Sequence, residues 1–175
     1  MKIAYILPTG DEILNGTVLD LDSPEIMRQL VRHCPAMEVI RLAPLVDEED
    51  AIVTKIEELA TRKPDLIVLV GGSGGGHRHV SSLGKDFTHS ALSRYLDHKS
   101  TQEIYGKNGH LWCKLVCGTK GDTLVVNVPG PFQEAKAAMA ACLEALAEGA
   151  DLDGICRNMA KAVFAQYPTG GAVAP

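Results

Sequence analysis

A glycine-rich segment directly after a buried strand is the strongest chemical signal in the chain. Gly71-Gly72-Ser73-Gly74-Gly75-Gly76 follows the apolar run 66–70, and a helix is predicted to begin near 86–88. Glycine lets backbone N–H groups approach a ligand closely, and such groups suit anionic oxygens. The order strand, loop, helix therefore favours anion binding over a merely flexible turn.

This loop does not match the two common nucleotide fingerprints. The dinucleotide pattern needs glycine at position 77, which is His77, and the P-loop pattern needs glycine at 79, which is His79. Residues 77–79 (His-Arg-His) add positive charge that could meet a phosphate or a carboxylate. No third ligand stands at a suitable spacing, so a metal site on His77 and His79 is not favoured.

Two further loops carry polar chemistry. The first holds acids beside glycines, where carboxylates could bind Mg²⁺ or hydrogen-bond a polar heterocycle, and a solvated acidic loop is the alternative. Its candidate residues are Thr9, Gly10, Asp11, Glu12 and Asp20. Pro129 and Gly130 precede a helix whose free N–H groups suit phosphate, although a plain strand-to-helix turn fits this segment equally well.

Asp47 and Asp86 each stand where a helix is predicted to begin. Both therefore have an ordinary interpretation as N-caps. A second, chemical role for either depends on its facing the glycine-rich loop.

The elements that must position these loops alternate along the chain. Apolar runs and helical periodicity predict the following strands and helices. The strands are 2–7, 38–43, 65–70, a weaker one near 101–105, 112–117 and 123–128; the helices are 23–34 (capped by Ser23), 47–60, 86–97, 130–148 and 151–163 (capped by Asp151). This order indicates an α/β fold: a mainly parallel sheet, helices on both faces, and one antiparallel hairpin at 112–128. The loops 8–22, 71–86 and 129–134 would meet at its carboxyl edge.

Composition limits the function classes. With 175 residues and 46% apolar content, we expect one domain over 1–167 and a loose tail over 168–175. A net charge of −5 argues against a general nucleic-acid binder, and no apolar run is long enough to span a membrane. Five scattered cysteines fit free thiols in a reducing cytoplasm, and Cys113 and Cys117 are expected in the core.

Taken together, the motifs resemble the molybdopterin-binding domain family, which includes Mog/MoaB-type proteins, MoeA and gephyrin domains, and the amino-terminal domain of CinA-type proteins. The resemblance spans about 3–145. It rests on five segments in order: 9–16 (TGDEILNG), 46–49 (VDEE), 71–74 (GGSG), 86–88 (DFT) and 128–130 (VPG).

The resemblance implies a three-layer αβα sandwich whose loops hold the phosphate of molybdopterin, a molybdenum-cofactor intermediate or a nucleotide. In members that adenylylate molybdopterin, the acids matching Asp47 and Asp86 act with Mg²⁺ and ATP. The cofactor-binding set implied here is Thr9, Gly10, Asp11, Glu12, Asp20, Gly71, Gly72, Ser73, Gly74, Thr88, Pro129 and Gly130. Family members often self-associate, so a homo-oligomer is expected.

The chain also departs from the family pattern. Ser73 replaces threonine, and 75–85 is longer than the usual segment before the Asp-x-Thr helix start. Three functions stay open: a molybdopterin-binding protein with or without adenylyltransferase activity, a CinA-like metal-dependent nucleotide pyrophosphatase, and a non-enzymatic regulatory domain.

Overall fold

Seven strands form one sheet in the computed structural model, which describes residues 1–75, 86–168 and 171–173. The strands are β1 (Ile3–Pro8), β2 (Glu38–Arg41), β3 (Leu66–Val70), β4 (His98–Gly106), β5 (Leu111–Lys120), β6 (Thr123–Val128) and β7 (Ala172–Val173). The helices are α1 (Asp11–Leu14), α2 (Asp22–His33), α3 (Glu49–Ala60), α4 (Thr88–Tyr95), α5 (Phe132–Ala147) and α6 (Leu152–Phe164).

The sheet order is β2-β1-β3-β6-β5-β4-β7. β2, β1, β3 and β6 pair in parallel, whereas β5 is antiparallel to both β6 and β4. β4 therefore runs in the same direction as β6, and the predicted mainly parallel α/β sheet with an antiparallel hairpin is confirmed. β4 is longer than the predicted weak strand.

Helices cover both faces of the sheet. Side chains alternate along each strand, so Ile6 and Val68 face α2, α5 and α6, while Leu7 and Leu69 face α3 and α4. Cys113 and Cys117 are both buried in the first of these cores, as predicted. The three-layer arrangement places the loops at the carboxyl edge between the two helical layers.

The start of α2 differs from the prediction. Ser23 lies inside the helix and Leu21 occupies the N-cap position; Asp20, the residue before it, accepts a hydrogen bond of 2.9 Å at Oδ1 from the Ser23 backbone N–H. Ile26 and Leu30 are the buried apolar residues of α2, whereas Val31 is 43% exposed. The predicted loop 8–22 also contains the short helix α1.

The expected caps of α3 and α4 are also wrong. Glu48 and Phe87 occupy the N-cap positions, and within the described part of the chain neither helix start has a side-chain cap hydrogen bond. Asp47 and Asp86 thus precede the caps. Asp151 does cap α6, since its Oδ1 accepts from Gly154 N at 2.8 Å.

The carboxyl-terminal segment is partly ordered against the sheet. We expected a loose tail from 168, but Ala172–Val173 pairs with β4 through Tyr105 and Gly106. Within the described ranges, no helix has the length and apolar character needed to cross a membrane. All five cysteines are free thiols.

Candidate functional site

Three loops meet at the carboxyl edge of the parallel strands. Because β1, β3 and β6 are neighbours, the residues that follow them are adjacent too: Thr9 N donates to Val70 O at 2.8 Å, and Gly71 N donates to Val128 O at 3.0 Å. A Cβ built on Gly130 would lie 3.9 Å from Gly71 Cα. The structure therefore brings the first loop, the glycine-rich loop and the Pro129-Gly130 turn together.

Two buried threonines lock the first loop to α4. The Thr9 and Thr88 hydroxyl oxygens lie 2.8 Å apart, and Thr9 Oγ1 also donates to Val70 O at 3.1 Å. A hydroxyl has one proton. Since the Thr9 proton goes to Val70 O, the Thr88 hydroxyl donates to Thr9 Oγ1.

The backbone around these threonines requires glycine. Gly71 and Gly72 have φ values of 98° and 61°, in the left-handed region. A Cβ on Gly71 would lie 2.8 Å from Thr9 O, and one on Gly72 would overlap Thr88 Oγ1. The residues after β3 thus pack so closely against Thr9 and Thr88 that a side chain at position 71 or 72 would not fit.

The glycine-rich loop is held by its carbonyl groups. Gly72 O accepts from His89 N at 3.2 Å, Ser73 O accepts from Lys114 N at 2.6 Å, and Gly74 O lies 3.0 Å from His89 Nε2. Gly75 packs against β5, because a Cβ there would lie 2.9 Å from Leu111 O.

The direction of these carbonyls fixes the direction of the neighbouring amides. The described peptide bonds are all trans, and in a trans peptide the N–H points opposite to the C=O of the same unit. The N–H groups of Ser73, Gly74 and Gly75 therefore point away from His89 N, Lys114 N and the imidazole, respectively. The Ser73 and Gly75 N–H groups both point away from α4, whereas the Gly74 N–H points away from β5, so the first two form a candidate anion cradle.

A group of carboxylates lies beside the cradle. Asp47 is only 5% exposed, and Asp11 Oδ1 accepts from Asp47 N at 3.2 Å. Among the described residues, Asp47 Oδ1 has no hydrogen-bond partner. Burial, together with the negative charges of Glu12, Asp11 and Asp86, raises the pKa of Asp47 to about 7, although the Asp11 backbone amide opposes this shift. The two acids that the family resemblance singled out, Asp47 and Asp86, are therefore close enough to interact.

These acids do not form a metal site on their own. Among the described residues, no three histidine, cysteine, aspartate or glutamate side chains are arranged to hold a metal ion. Mg²⁺, however, usually binds through one or two carboxylates together with substrate phosphates and water. The acid group fits that second mode.

Asp20 has a different role in the structure from the other candidates. Its Oδ1 accepts from Ser23 N, and its Oδ2 pairs with Arg41 at 2.9 Å. It lines a cavity of about 390 Å³ between the first loop and α2, together with Ile13, Val18 and Met27. Asp20 thus organises the outer side of the first loop.

Three residues beside the cradle were not predicted from the sequence. His89 and Lys114 hold the loop carbonyls, and Asn127 is a fully buried residue of β6 that bonds to β5. Burial lowers the pKa of His89 and the Lys114 charge adds to this, whereas the bond to Gly74 O and the charges of Asp86 and Glu103 oppose it. A polar residue directly after the Asp-x-Thr helix start was the signal that could have identified His89.

Part of the sequence-based hypothesis falls outside the described residues. The segment 76–85, with the positively charged residues 77–79, belongs to this part of the chain. The proposed contact of His77, Arg78 and His79 with an anion stays a prediction.

Comparison with known proteins agrees with this architecture. The curated relatives include Protein PH0439 of Pyrococcus horikoshii, 32% identical over 84 residues, which are 48% of this chain and 32% of that protein. A CinA-like protein of Desulfosudis oleivorans is 33% identical over 92 residues, which are 53% of this chain and 20% of that protein. The matches thus span a third or less of these relatives' own length.

Solved structures share the fold over nearly their whole length. The Mog protein of Mycobacterium ulcerans, named for molybdopterin biosynthesis, has a TM-score of 0.65 at 20% identity, covering 89% of this chain and 99% of its own. The molybdopterin biosynthesis enzyme MoaB of Thermus thermophilus has a TM-score of 0.64 at 22% identity, covering 89% and 97%.

A family model described as a probable molybdopterin binding domain matches residues 5–148. That range contains all three loops of the carboxyl edge and both acids beside them. The chain belongs to the molybdopterin-binding domain family.

Proposed function

We propose that this chain binds molybdopterin or a molybdenum-cofactor intermediate, with the phosphate of the ligand held by the glycine-rich loop. The observation that carries the proposal is the fixed direction of this loop, whose carbonyls at Gly72, Ser73 and Gly74 are all engaged by the protein. The Ser73 and Gly75 amides, which both point away from α4, would donate to phosphate oxygens. Because they are held before the ligand arrives, binding would require little reordering of the loop.

The Pro129-Gly130 turn supports the same assignment. Gly130 is exposed and adjoins Gly71, so the start of α5 opens toward the cradle. α5 is 16 residues long, and the partial positive charge of a helix N-terminus favours an anion. Thr9, Gly10 and Thr88 would shape the floor of the site rather than contact the ligand widely, since all three are buried.

Adenylylation would use the neighbouring acids. In such a reaction a molybdopterin phosphate oxygen attacks the α-phosphorus of ATP, and pyrophosphate leaves. Asp11, Glu12, Asp47 and Asp86 are the residues that would share Mg²⁺ with the phosphates, and the ion would neutralise charge that the acids themselves add. The raised pKa of Asp47 supports this assignment, because it reflects burial and the negative charges of the neighbouring acids.

Direct binding tests the proposal. Purified protein is mixed with molybdopterin and followed by native mass spectrometry and by titration of pterin fluorescence. We expect a one-to-one complex, and Mg-ATP should then yield pyrophosphate and adenylylated pterin if the chain is also an adenylyltransferase. Absence of pterin binding at millimolar protein would reject the binding function, whereas binding without turnover would identify a carrier or sensor.

A CinA-like pyrophosphatase is the second candidate. It is favoured by the acid group, because hydrolysis of a nucleoside diphosphate compound also needs carboxylates that hold a metal beside a phosphate site. Phosphate release would be measured for a panel of nucleoside diphosphate compounds with Mg²⁺, Mn²⁺ or Co²⁺. No turnover across the panel removes this candidate. If Asp47→Asn and Asp86→Asn leave every detected activity unchanged, the regulatory function gains support.

A further inference from the structure

His89 contacts the glycine-rich loop twice. Its backbone N–H donates to Gly72 O at 3.2 Å, and its ring Nε2 lies 3.0 Å from Gly74 O. A carbonyl oxygen only accepts, so the ring must carry a proton on Nε2. One residue at the first turn of α4 therefore holds two carbonyls that are two residues apart in the loop.

The remaining carbonyl between them is held from the other side. Ser73 O accepts from Lys114 N on β5, so the loop is fixed between α4 and β5. The Lys114 contact is made by the backbone and does not depend on residue type. The Gly74 contact is made by the His89 side chain. Of the three carbonyl contacts, it is therefore the one that a side-chain substitution would remove.

We propose that His89 is a positioning residue that keeps the amides of the glycine-rich loop directed at the ligand phosphate. This inference rests on the proposed phosphate binding by the same loop. Without the imidazole, the peptide unit between Gly74 and Gly75 could rotate, because glycine at both positions imposes little restriction on the backbone. The Gly75 N–H would then no longer be fixed toward the anion.

The charges around the imidazole are consistent with a neutral ring. Lys114 lowers the pKa of His89 in the same direction as burial, while Asp86 and Glu103 raise it. The lowered pKa favours the neutral form near pH 7, in which a proton on Nε2 leaves Nδ1 as an acceptor. The neutral His89 ring thus has one N–H donor, on Nε2, which lies 3.0 Å from Gly74 O.

Two amide substitutions separate this role from a general effect on folding. The side-chain nitrogen of glutamine can replace histidine Nε2, whereas that of asparagine reaches only the Nδ1 position. His89→Gln should therefore keep the bond to Gly74 O, and His89→Asn should lose it. Both variants retain the backbone bond to Gly72 O and place a polar amide at the same half-buried position.

Inorganic phosphate is the probe, titrated by nuclear magnetic resonance of the Ser73, Gly74 and Gly75 amides. We expect His89→Asn to weaken phosphate binding about tenfold and His89→Gln to stay within about twofold of the original protein. Imidazole nitrogen shifts should identify the Nε2–H form. Equal affinity of the two variants, or a proton on Nδ1, would overturn the proposal.

Failure of the proposed function is distinguishable from failure of this inference. If the unsubstituted protein binds no phosphate, phosphate binding by the loop is wrong, but the amide spectra of the free proteins still test His89. In that case the Gly74 and Gly75 signals should move or broaden in His89→Asn and not in His89→Gln. Unchanged signals in both variants would show that the imidazole does not position the loop.

Discussion

The hydroxyl groups of Thr9 and Thr88 form a 2.8 Å hydrogen bond between residues 79 positions apart in the chain. Thr9 follows β1 and Thr88 begins α4, and both side chains are buried. This bond ties the first loop to the glycine-rich loop, because Gly72 packs directly against Thr88. Its loss should therefore affect both stability and ligand binding.

Thr88→Val tests this bond with little change in side-chain volume. The substitution removes the donor to Thr9 Oγ1, so we expect the free energy of unfolding to fall by about 1–2 kcal/mol. Urea denaturation measures the change. Thr101→Val, at an exposed position of β4, is the control and should stay within about 0.5 kcal/mol of the original protein. Equal effects of the two substitutions would mean that the hydroxyl pair contributes nothing particular.

Gly72→Ala should be far more damaging than Gly121→Ala. Both glycines have similar positive φ values, 61° and 57°, so alanine causes comparable backbone strain at either position. At Gly72 the added Cβ would overlap Thr88, whereas at Gly121 no atom of the described residues would lie within 4 Å of it. We expect Gly72→Ala to cost about 1–3 kcal/mol more than the hairpin control by urea denaturation.

The same pair of variants also tests the cradle. Molybdopterin affinity should fall at least tenfold in Gly72→Ala, because displacement of Thr88 moves the loop amides, and should be unchanged in Gly121→Ala. Normal affinity in a folded Gly72→Ala protein would contradict the placement of the phosphate in this loop.

The stability of the protein should depend on the titration of Asp47. The pKa of this carboxyl is raised from 3.8 to about 7 in the folded state. Between these two values the folded protein holds a proton that the unfolded chain has lost. Stability therefore falls as pH rises through this range, and the full cost is present above about pH 7.

Asp47→Asn should remove that cost. We expect it to raise the free energy of unfolding on the order of 2–4 kcal/mol at pH 8, with no difference near pH 3. Denaturation curves at a series of pH values measure the effect, and Asp122→Asn in the exposed hairpin turn is the control. A variant no more stable than the original protein at pH 8 would show that Asp47 titrates normally.

The sequence predicted the frame of the site better than its details. β1 and β3 are continuous apolar runs, and such runs are easy to recognise in a sequence because both faces of the strand are buried. Asp151 was identified as a cap because it is followed directly by a helical pattern. The convergence of the three loops was expected from the alternation of strands and helices, since the carboxyl ends of parallel strands lie at one edge of the sheet.

Side-chain choices within the loops were harder to predict. Aspartate and serine are both common at N-caps, yet Leu21 holds that position in α2, and only the path of the first loop brings Asp20 to the Ser23 N–H. Asp47 failed as a cap because Glu48 stays extended, with φ −138° and ψ 127°, so α3 begins later and the carboxyl turns toward other acids. Such outcomes depend on contacts distant in sequence.

Asn127 is a strand residue whose role also depends on contacts that the sequence alone does not predict. The β5–β6 ladder runs from Lys120–Thr123 to Cys117–Val126. Beyond this point the Asn127 side chain joins the strands: its Oδ1 accepts from Val116 N at 2.6 Å and its Nδ2 donates to Lys114 O at 3.0 Å. Lys114 N is thereby left to donate to Ser73 O.

Asn127→Leu should leave Val116 N and Lys114 O without partners and lower the free energy of unfolding by about 2–4 kcal/mol. Amide hydrogen exchange should also accelerate at Lys114 more than at Thr119, where β5 stays paired with both β4 and β6. Thr119 is thus an internal control for global destabilisation. If both amides accelerate equally, Asn127 stabilises the sheet as a whole and has no special part in holding the glycine-rich loop.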